Sequence, residues 1–223
     1  MGATALPTTP TEISRALRDL YPHLGGFKRL LLKWRPYICP FHEILARVPP
    51  KSSAVLDVGC GIGIASSLLA TFCGARTQPR KIVAFDVSKD AISDAKQANL
   101  CSESAVDFRT VEKMAPWPEG PFDTILCVDV IHHVKARDQN GFVRKLTSSC
   151  PEGGTLIIKD ISPTPLWKSA MNLLHDLLLS RQLVHHRSEQ EIASWLERAG
   201  MTIVENSRQD QLWYSHYLIV ATR

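Results

Sequence analysis

Apolar and polar residues follow two patterns along the chain, one typical of buried strands and one typical of amphipathic helices. Short apolar runs at 54–58, 82–86, 106–109, 121–129 and 155–160 predict strands. Apolar residues at helical spacing follow the first two runs and recur at 142–150, between the fourth and fifth. Two more strands are expected at 201–205 and 213–221, after a helix whose capping box starts at Ser188. The middle of the chain therefore predicts strands that alternate with helices.

The first 50 residues show no strand pattern and predict a disordered lead followed by a helical cap. Residues 1–11 are rich in Thr and Pro, and helices are expected at 12–20, 27–34 and 42–48, with a proline-bounded connection at 35–41. The basic, apolar segment 27–34 fits a helix that lies on a membrane surface or grips an anion. The preferred interpretation is a cap helix whose lysines extend around a buried apolar stripe. The main domain is expected at 51–223, with a helical insertion at 163–187.

A glycine-rich string joins the first predicted strand to its helix. Gly59, Gly61 and Gly63 are spaced by two, and Asp57 precedes them. Glycines at such a turn allow positive φ and let a ligand approach the main chain, and the following helix begins with unpaired N–H groups. A dinucleotide fingerprint would need a glycine where Ile64 stands, which argues against NAD.

The string Leu-Asp-Val-Gly-Cys-Gly-Ile-Gly resembles motif I of the class I S-adenosylmethionine-dependent methyltransferases. A second string, Asp-Val-Ile-His-His-Val from Asp129, resembles their fourth-strand motif, which faces the methionine part of the cofactor and the acceptor. The resemblance covers about 54–156, and the flanking segments look like a bacterial subgroup that acts on small molecules. It implies an α/β fold, a doubly wound, mostly parallel, Rossmann-like sheet of seven strands with helices on both faces and an antiparallel edge.

The same resemblance implies S-adenosyl-L-methionine as the cofactor and S-adenosyl-L-homocysteine as its product. It also implies a set of cofactor-binding residues at the ends of the first four strands: Asp57, Gly59, Cys60, Gly61, Gly63, Asp86, Val87, Glu112 and Asp129.

Two of these residues carry alternatives. Asp86 ends the second predicted strand, where a carboxylate can accept both hydroxyl hydrogens of a ribose, and the alternative is an N-cap role for the helix near Ser88. After the third strand the family pattern expects an Asp for the adenine amino group, and Glu112 is the nearest candidate. Met114 or Trp117 would stack on the adenine ring or belong to the core.

Transfer to a hydroxyl or to a protonated amine requires a general base. The His pair at 132–133 offers one near neutral pH, and its alternative role is packing or loop architecture. Lys159 and Asp160 end the fifth strand, where they form either a mutual pair at a cleft rim or part of the acceptor site. The catalytic candidates are His132, His133, Asp160 and His175, with His185 as a further supplier of a base.

Composition narrows the classes of partner. The 223 residues are 44% hydrophobic and 22% charged, which fits one domain with a full core. A net charge of +4 without a basic, aromatic stripe argues against a nucleic-acid partner. The 6 cysteines form no CxxC pairs, so neither a metal site nor a disulfide framework is expected. No membrane span or signal peptide is evident, so we expect a cytoplasmic protein, with membrane contact disfavoured. The sequence does not determine the oligomeric state.

Three functions are consistent with these observations. The leading one is S-adenosylmethionine-dependent methyl transfer to an O or N atom of a small, apolar or aromatic acceptor, because the cap and the insertion are rich in Leu, Trp and Tyr. The second is a protein of this fold that binds the cofactor without methyl transfer and catalyses another reaction or acts as a partner subunit. The third, an NAD-dependent enzyme, is disfavoured by Ile64.

Overall fold

The computed structural model describes residues 7–72, 81–100, 106–164, 184–212 and 214–223. The helices are α1 (Pro10–Leu20), α2 (Gly26–Ile38), α3 (Phe41–Ala46), α4 (Ile64–Phe72), α5 (Lys89–Lys96), α6 (Gln139–Ser149) and α7 (Glu189–Arg198), with a short 3-10 helix at Ile131–His133. The strands are β1 (Ala54–Val58), β2 (Lys81–Asp86), β3 (Val106–Thr110), β4 (Thr124–Val128), β5 (Thr155–Ile161), β6 (Thr202–Gln211) and β7 (Tyr214–Thr222).

The strands form one seven-stranded sheet in the order β3-β2-β1-β4-β5-β7-β6. β2 lies parallel to both β1 and β3, whereas β7 lies antiparallel to both β5 and β6. The expected Rossmann-like fold, a mostly parallel sheet with an antiparallel edge, is confirmed. Parallel order places the carboxyl ends of β1, β2 and β3 at one edge of the sheet, which is where such folds bind ligands.

Contacts divide the chain into two compact units, residues 1–124 and 125–223. In the first unit, α1 packs against α2, α3 and α4. Between β2, β3 and α5, a core cluster holds Ala84, Ile92, Ala95 and Phe108, with Cys60 packed against it. The apolar face that the spacing predicted for α1 is therefore the face that this helix buries. The expected boundary between a cap and a main domain near residue 50 stays a prediction.

In the second unit, α7 packs against α6, β6 and β7. Ser188 accepts a hydrogen bond from the Glu191 N–H (3.3 Å), so it is the N-cap of α7 that the sequence predicted. β5 is buried along its whole length, including Lys159 and Asp160 near its end. Charged side chains at such depth need partners, and those partners define the site described below.

The N-terminal segment departs from expectation in two ways. The proline-bounded connection at 35–41 is wrong, because α2 continues through Pro36 to Ile38. Proline's φ is compatible with a helix, and Pro36 is buried on the same face as Leu32, so packing outweighs the missing hydrogen bond. The helix expected at 27–34 is confirmed as part of α2, but the expected burial of its apolar stripe is wrong, because four of its apolar side chains are exposed: Phe27, Leu30, Leu31 and Trp34.

Of the predicted insertion at 163–187, residues 165–183 lie outside the described part of the chain. Within the described part, no helix combines the length and the apolar character that crossing a membrane requires.

Candidate functional site

The loop between β1 and α4 is held in the conformation that its glycines allow. Gly59, Gly61 and Gly63 have φ of 72°, 56° and 78°, in the left-handed region that favours glycine. The backbone N–H groups of Gly59 and Cys60 both donate to the carbonyl of Phe85, at 2.9 and 3.0 Å. The loop is therefore fastened to the end of β2. These two N–H groups are already used in hydrogen bonds that hold the loop in place.

Two of the glycines serve different purposes. A Cβ built on Gly63 would lie 2.3 Å from the Phe108 ring, so this position needs glycine for close packing of the loop against β3. A Cβ on Gly61 would meet no atom within 4 Å. Gly61 therefore faces open space, and the main chain there is accessible to a ligand.

The Asp86 carboxylate lies at the carboxyl end of β2 and contacts this open position. Its Oδ2 accepts the N–H of Gly61 at 2.9 Å, and its Oδ1 accepts the N–H of Ser88 at 2.8 Å. Ser88 itself caps α5, accepting the N–H of Ala91. The N-cap alternative for Asp86 is therefore wrong, because Ser88 has that role. Each carboxylate oxygen of Asp86 has acceptor capacity left for a ribose hydroxyl.

Asp57 is buried in β1, where its Oδ2 accepts the Ser66 hydroxyl at 2.6 Å. Burial raises the pKa of this carboxyl to about 6, with the nearby Asp86 charge adding to the rise and Ser66 opposing it. This contact ties β1 to α4. Burial also raises the pKa of the Cys60 thiol. Cofactor contact by Asp57, Cys60 and the exposed Val87 stays a prediction.

A tyrosine that the sequence did not single out supports the glycine loop. The Tyr21 hydroxyl donates to the carbonyl of Ile62 at 2.8 Å and lies 2.8 Å from the Ser67 hydroxyl. Burial raises the pKa of Tyr21 well above its usual value, so the phenol stays protonated and keeps its donor. Tyr21 is 41 residues from Ile62, so no local pattern could have identified it.

The segment after β3 leaves the predicted adenine contacts untested. The N–H of Val111 donates to the carbonyl of Asp86 at 3.0 Å, so this segment begins beside Asp86. Glu112 is exposed, and Met114 is 93% exposed. Trp117 packs its ring 5.3 Å from the ring of Phe85. The core alternative therefore fits Trp117, and the role of Glu112 stays a prediction.

Taken together, the residues of the first unit fit S-adenosylmethionine. The open position at Gly61 would admit a ligand against the main chain, and the Asp86 carboxylate beside it suits a ribose diol. These are the groups that would hold the cofactor.

The second unit contains a buried pair, His132 and Asp160. Asp160 Oδ2 accepts the backbone N–H groups of Ile131 and His132, at 2.8 and 3.3 Å. Its Oδ1 accepts the N–H of Ile161 at 2.7 Å and contacts Nδ1 of the His132 ring. One carboxylate therefore orients both the short 3-10 helix and the imidazole that the helix carries.

The charge state of Asp160 fixes the roles of the two ring nitrogens. Burial alone raises the pKa of this carboxyl, but the His132 ring and the Ile161 N–H outweigh burial and hold the pKa below its usual value. An ionised Asp160 accepts a hydrogen bond, so Nδ1 of His132 carries a hydrogen, and Nε2 carries the lone pair whenever the ring is neutral. This is the arrangement of an oriented base.

Lys159 and Asp129 form a second buried pair in the same unit. Lys159 is fully buried, and its Nζ donates to Asp129 Oδ1 at 2.5 Å. The Asp129 N–H in turn donates to the Lys159 carbonyl at 2.8 Å, and Asp129 has a φ of 55°. The expectation of a mutual Lys159–Asp160 pair at a rim is wrong, because each residue is buried and pairs with a residue that follows β4.

The potential ligand atoms of Asp129, His132 and Asp160 lie within 4.8 Å of one another, a spacing that suits a metal ion. Lys159 and His132 already pair with the two carboxylates. Both carboxylates of the cluster therefore already have hydrogen-bond partners among its own side chains.

Gln139, which the sequence did not single out, fastens the cluster to the segment before α7. Its buried amide donates to the carbonyls of Ile131 (2.9 Å) and His185 (2.7 Å) and accepts from Arg187 Nε (2.7 Å). The His185 N–H donates to the carbonyl of His132 at 2.8 Å. His133, in contrast with His132, is exposed. His175 lies outside the described residues.

Comparison with known proteins gives matches over most of the chain. A family model described as "Methyltransferase domain" matches residues 31–206. A ubiquinone biosynthesis O-methyltransferase from Xanthomonas axonopodis pv. citri (strain 306) is 30% identical over 173 residues, which cover 74% of this chain and 69% of that protein.

Two solved structures show the same fold. Magnesium protoporphyrin IX methyltransferase from Synechocystis PCC 6803, with bound SAH, has a TM-score of 0.66 at 20% identity and covers 90% of this chain and 89% of its own. An O-methyltransferase family 2 protein from Planctomyces limnophilus DSM 3776, in complex with apigenin, has a TM-score of 0.63 at 21% identity. The match covers 88% of this chain and 61% of that protein.

Proposed function

Since the family model matches most of the chain, the protein belongs to the S-adenosylmethionine-dependent methyltransferases, and from that premise we propose that it methylates an oxygen atom of a small, apolar or aromatic acceptor. Oxygen is preferred to nitrogen because the relative from Xanthomonas is an O-methyltransferase and shares 30% of the aligned residues. The buried His132–Asp160 pair is the observation that carries the proposal, because an acceptor hydroxyl requires a base.

When bound, S-adenosylmethionine supplies an electrophilic methyl carbon on a sulfonium. The protein therefore mainly has to hold and orient the cofactor and the acceptor and to keep water away from them. In the first unit, we assign ribose binding to Asp86 and close approach of the cofactor to Gly61. The two hydrogen bonds from Gly61 and Ser88 keep the carboxylate in place before the cofactor binds. Preorganisation of this kind lowers the ordering cost of binding.

In the second unit, we assign the role of general base to His132. The acceptor hydroxyl gives its proton to Nε2, while Asp160 keeps the hydrogen on Nδ1 and stabilises the imidazolium that forms. Asp160 is a positioning residue, because it acts through the His132 ring. His133 is the neighbouring histidine and is exposed, which makes it a matched control.

The test compares His132→Gln with His133→Gln. Release of S-adenosylhomocysteine is measured with a panel of acceptors, namely an alkylated catechol, an alkylated phenol and the matching aniline. We expect turnover on a hydroxyl acceptor to fall about 100-fold or more in His132→Gln, because a positioned base contributes that much, and to change little in His133→Gln. Affinity for S-adenosylmethionine, measured by calorimetry, should be the same in both variants.

A purely structural role for His132 predicts different data. In that case His132→Gln would lower the melting temperature and cofactor affinity, and the turnover that remains would keep the wild-type pH profile. Transfer to the aniline alone would contradict the choice of oxygen.

A further inference from the structure

Helix α2 presents an apolar stripe to solvent. Phe27, Leu30, Leu31 and Trp34 are 61%, 49%, 38% and 50% exposed. They stand at positions i, i+3, i+4 and i+7, so they share one face of the helix. Large apolar side chains that are exposed together in this way mark an interaction surface, whereas scattered ones do not.

The opposite face of α2 is the one that packs. Leu32 and Pro36 are buried, and the Lys33 carbonyl accepts the Ser14 hydroxyl of α1 at 3.1 Å. At 100° per residue, Leu32 and Pro36 lie roughly opposite the stripe. The helix is therefore anchored to the protein by one side and offers the other side to a partner.

The charges of α2 identify the chemistry of that partner. Its 13 residues contain Lys28, Arg29, Lys33 and Arg35 and no acidic residue. Helical spacing places Lys28 and Arg35 on one flank of the stripe and Lys33 on the other. Lys28 Nζ pairs with Asp94 of α5 at 2.6 Å. Trp34 and Tyr37 add aromatic rings 5.5 Å apart near the C-terminal end.

We propose that α2 docks the protein on an anionic phospholipid surface, with Phe27, Leu30, Leu31 and Trp34 inserted at the level of the headgroups. An apolar stripe flanked by Lys and Arg and lying along the surface is the pattern of interfacial helices, and aromatic rings favour the same depth. Cationic flanks would add attraction to acidic headgroups. This proposal stands on α2 alone and does not depend on the acceptor or on the base.

The experiment is co-sedimentation of the full chain with vesicles of phosphatidylcholine, with or without phosphatidylglycerol. The wild type should bind the vesicles that contain phosphatidylglycerol, and higher salt should weaken this binding. Leu30→Glu/Trp34→Glu should lower binding about tenfold or more, because it places two charges in the inserted face. Val204→Glu is the matched control, since Val204 is an exposed apolar residue of β6, and it should bind like the wild type.

A second variant, Lys28→Glu/Lys33→Glu, reverses one cation on each flank, leaves the apolar stripe intact and tests the charges alone. It should lose the preference for phosphatidylglycerol. The melting temperatures of all variants should stay within a few degrees of the wild type, because the changed side chains are exposed.

Three results would overturn the proposal. The first is that the wild type fails to sediment with either vesicle, or that Leu30→Glu/Trp34→Glu sediments as well as it does. The second is a dimer in analytical ultracentrifugation that this double variant dissociates, which would make α2 an interface between copies of the chain. The third is a large fall in the melting temperature of Leu30→Glu/Trp34→Glu, which would place the stripe against another part of the protein. Each readout is independent of methyl transfer, so failure here is distinguishable from failure of the proposed function.

Discussion

The glycine loop of the first unit and the charged cluster of the second both lie at strand ends, but they are held in different ways. In the loop, Asp57 and Asp86 accept hydrogen bonds from neutral donors, a hydroxyl and two backbone N–H groups. In the cluster, Asp129 and Asp160 pair with Lys159 and His132, 30 and 28 residues away. One site is built mainly from main chain, and the other from buried charges.

The difference teaches where each site is vulnerable. Neutral donors can be exchanged or lost with modest effects, because a hydrogen bond contributes little net free energy. A buried ion pair is different, since removal of one partner leaves an uncompensated charge in a medium of low polarity. We therefore expect the loss of any one charge to destabilise the whole cluster. In the loop, the effect of a change should depend on which residue is changed.

The largest effect should come from Lys159→Met. This change leaves the Asp129 carboxylate without its ammonium partner, so the free energy of unfolding should fall by about 3 to 5 kcal/mol in urea denaturation. Asp129→Asn/Lys159→Met removes both charges and should recover at least half of that loss. If the two single changes simply add in the double variant, the cluster is not the coupled unit described above.

The next largest effect is a difference in stability loss between alanine substitutions at two glycines of the same loop, Gly63 and Gly61. Gly63→Ala should lower the free energy of unfolding by about 3 kcal/mol, because its Cβ overlaps the Phe108 ring and its φ is positive.

Gly61→Ala is the control for that change, because it has open space around its Cβ and a similar φ. Its stability loss should be about 1 kcal/mol, from backbone strain alone, while its affinity for S-adenosylmethionine should fall more steeply than its stability. Equal stability losses in the two variants would contradict the packing role of Gly63.

A smaller effect concerns pH. Burial raises the pKa of Asp57 from 3.8 to about 6, so the folded state binds the proton more tightly than the unfolded state does. The stability contributed by the protonated form is fully present below about pH 4 and is lost as pH rises through about 6. Asp57→Asn cannot ionise, so relative to the wild type it should gain about 2 to 3 kcal/mol between pH 4 and pH 7.

Chemical denaturation of both proteins at a series of pH values measures this difference. Ser66 offers its hydroxyl to either side chain, so the hydrogen bond itself is conserved in the comparison. A constant difference between the two proteins from pH 4 to pH 7 would show that Asp57 is not buried as a charge.

The same contrast explains what the sequence could predict. The loop, its strands and Asp86 were predicted because their pattern is local, with Gly59, Gly61 and Gly63 within five positions and Asp86 at the end of the next strand. The fold followed from the resemblance that this string carries. The N-cap alternative for Asp86 was ruled out only in the structure, where Ser88 caps α5.

The cluster was only partly predicted, because its partners are set by tertiary packing. His132, Asp129 and Asp160 were candidates from their place at strand ends, yet the pairing of Lys159 with Asp129 and the contribution of Gln139 have no local signature. For α2, the pattern showed an apolar stripe but not which face the protein buries. Leu32 and Pro36 decided that face, and the expected burial of the stripe was wrong.

The measurement that tests the central claim most directly is calorimetric titration of S-adenosylmethionine, and separately of NAD, into the wild type, Asp86→Ala and Asp90→Ala. Asp90 is an exposed acid in the first turn of α5, so its variant controls for loss of charge. The account predicts that S-adenosylmethionine binds and NAD does not, and that Asp86→Ala weakens binding by about 10- to 100-fold while Asp90→Ala does not. Equal affinity in Asp86→Ala and the wild type, or binding of NAD alone, would contradict it.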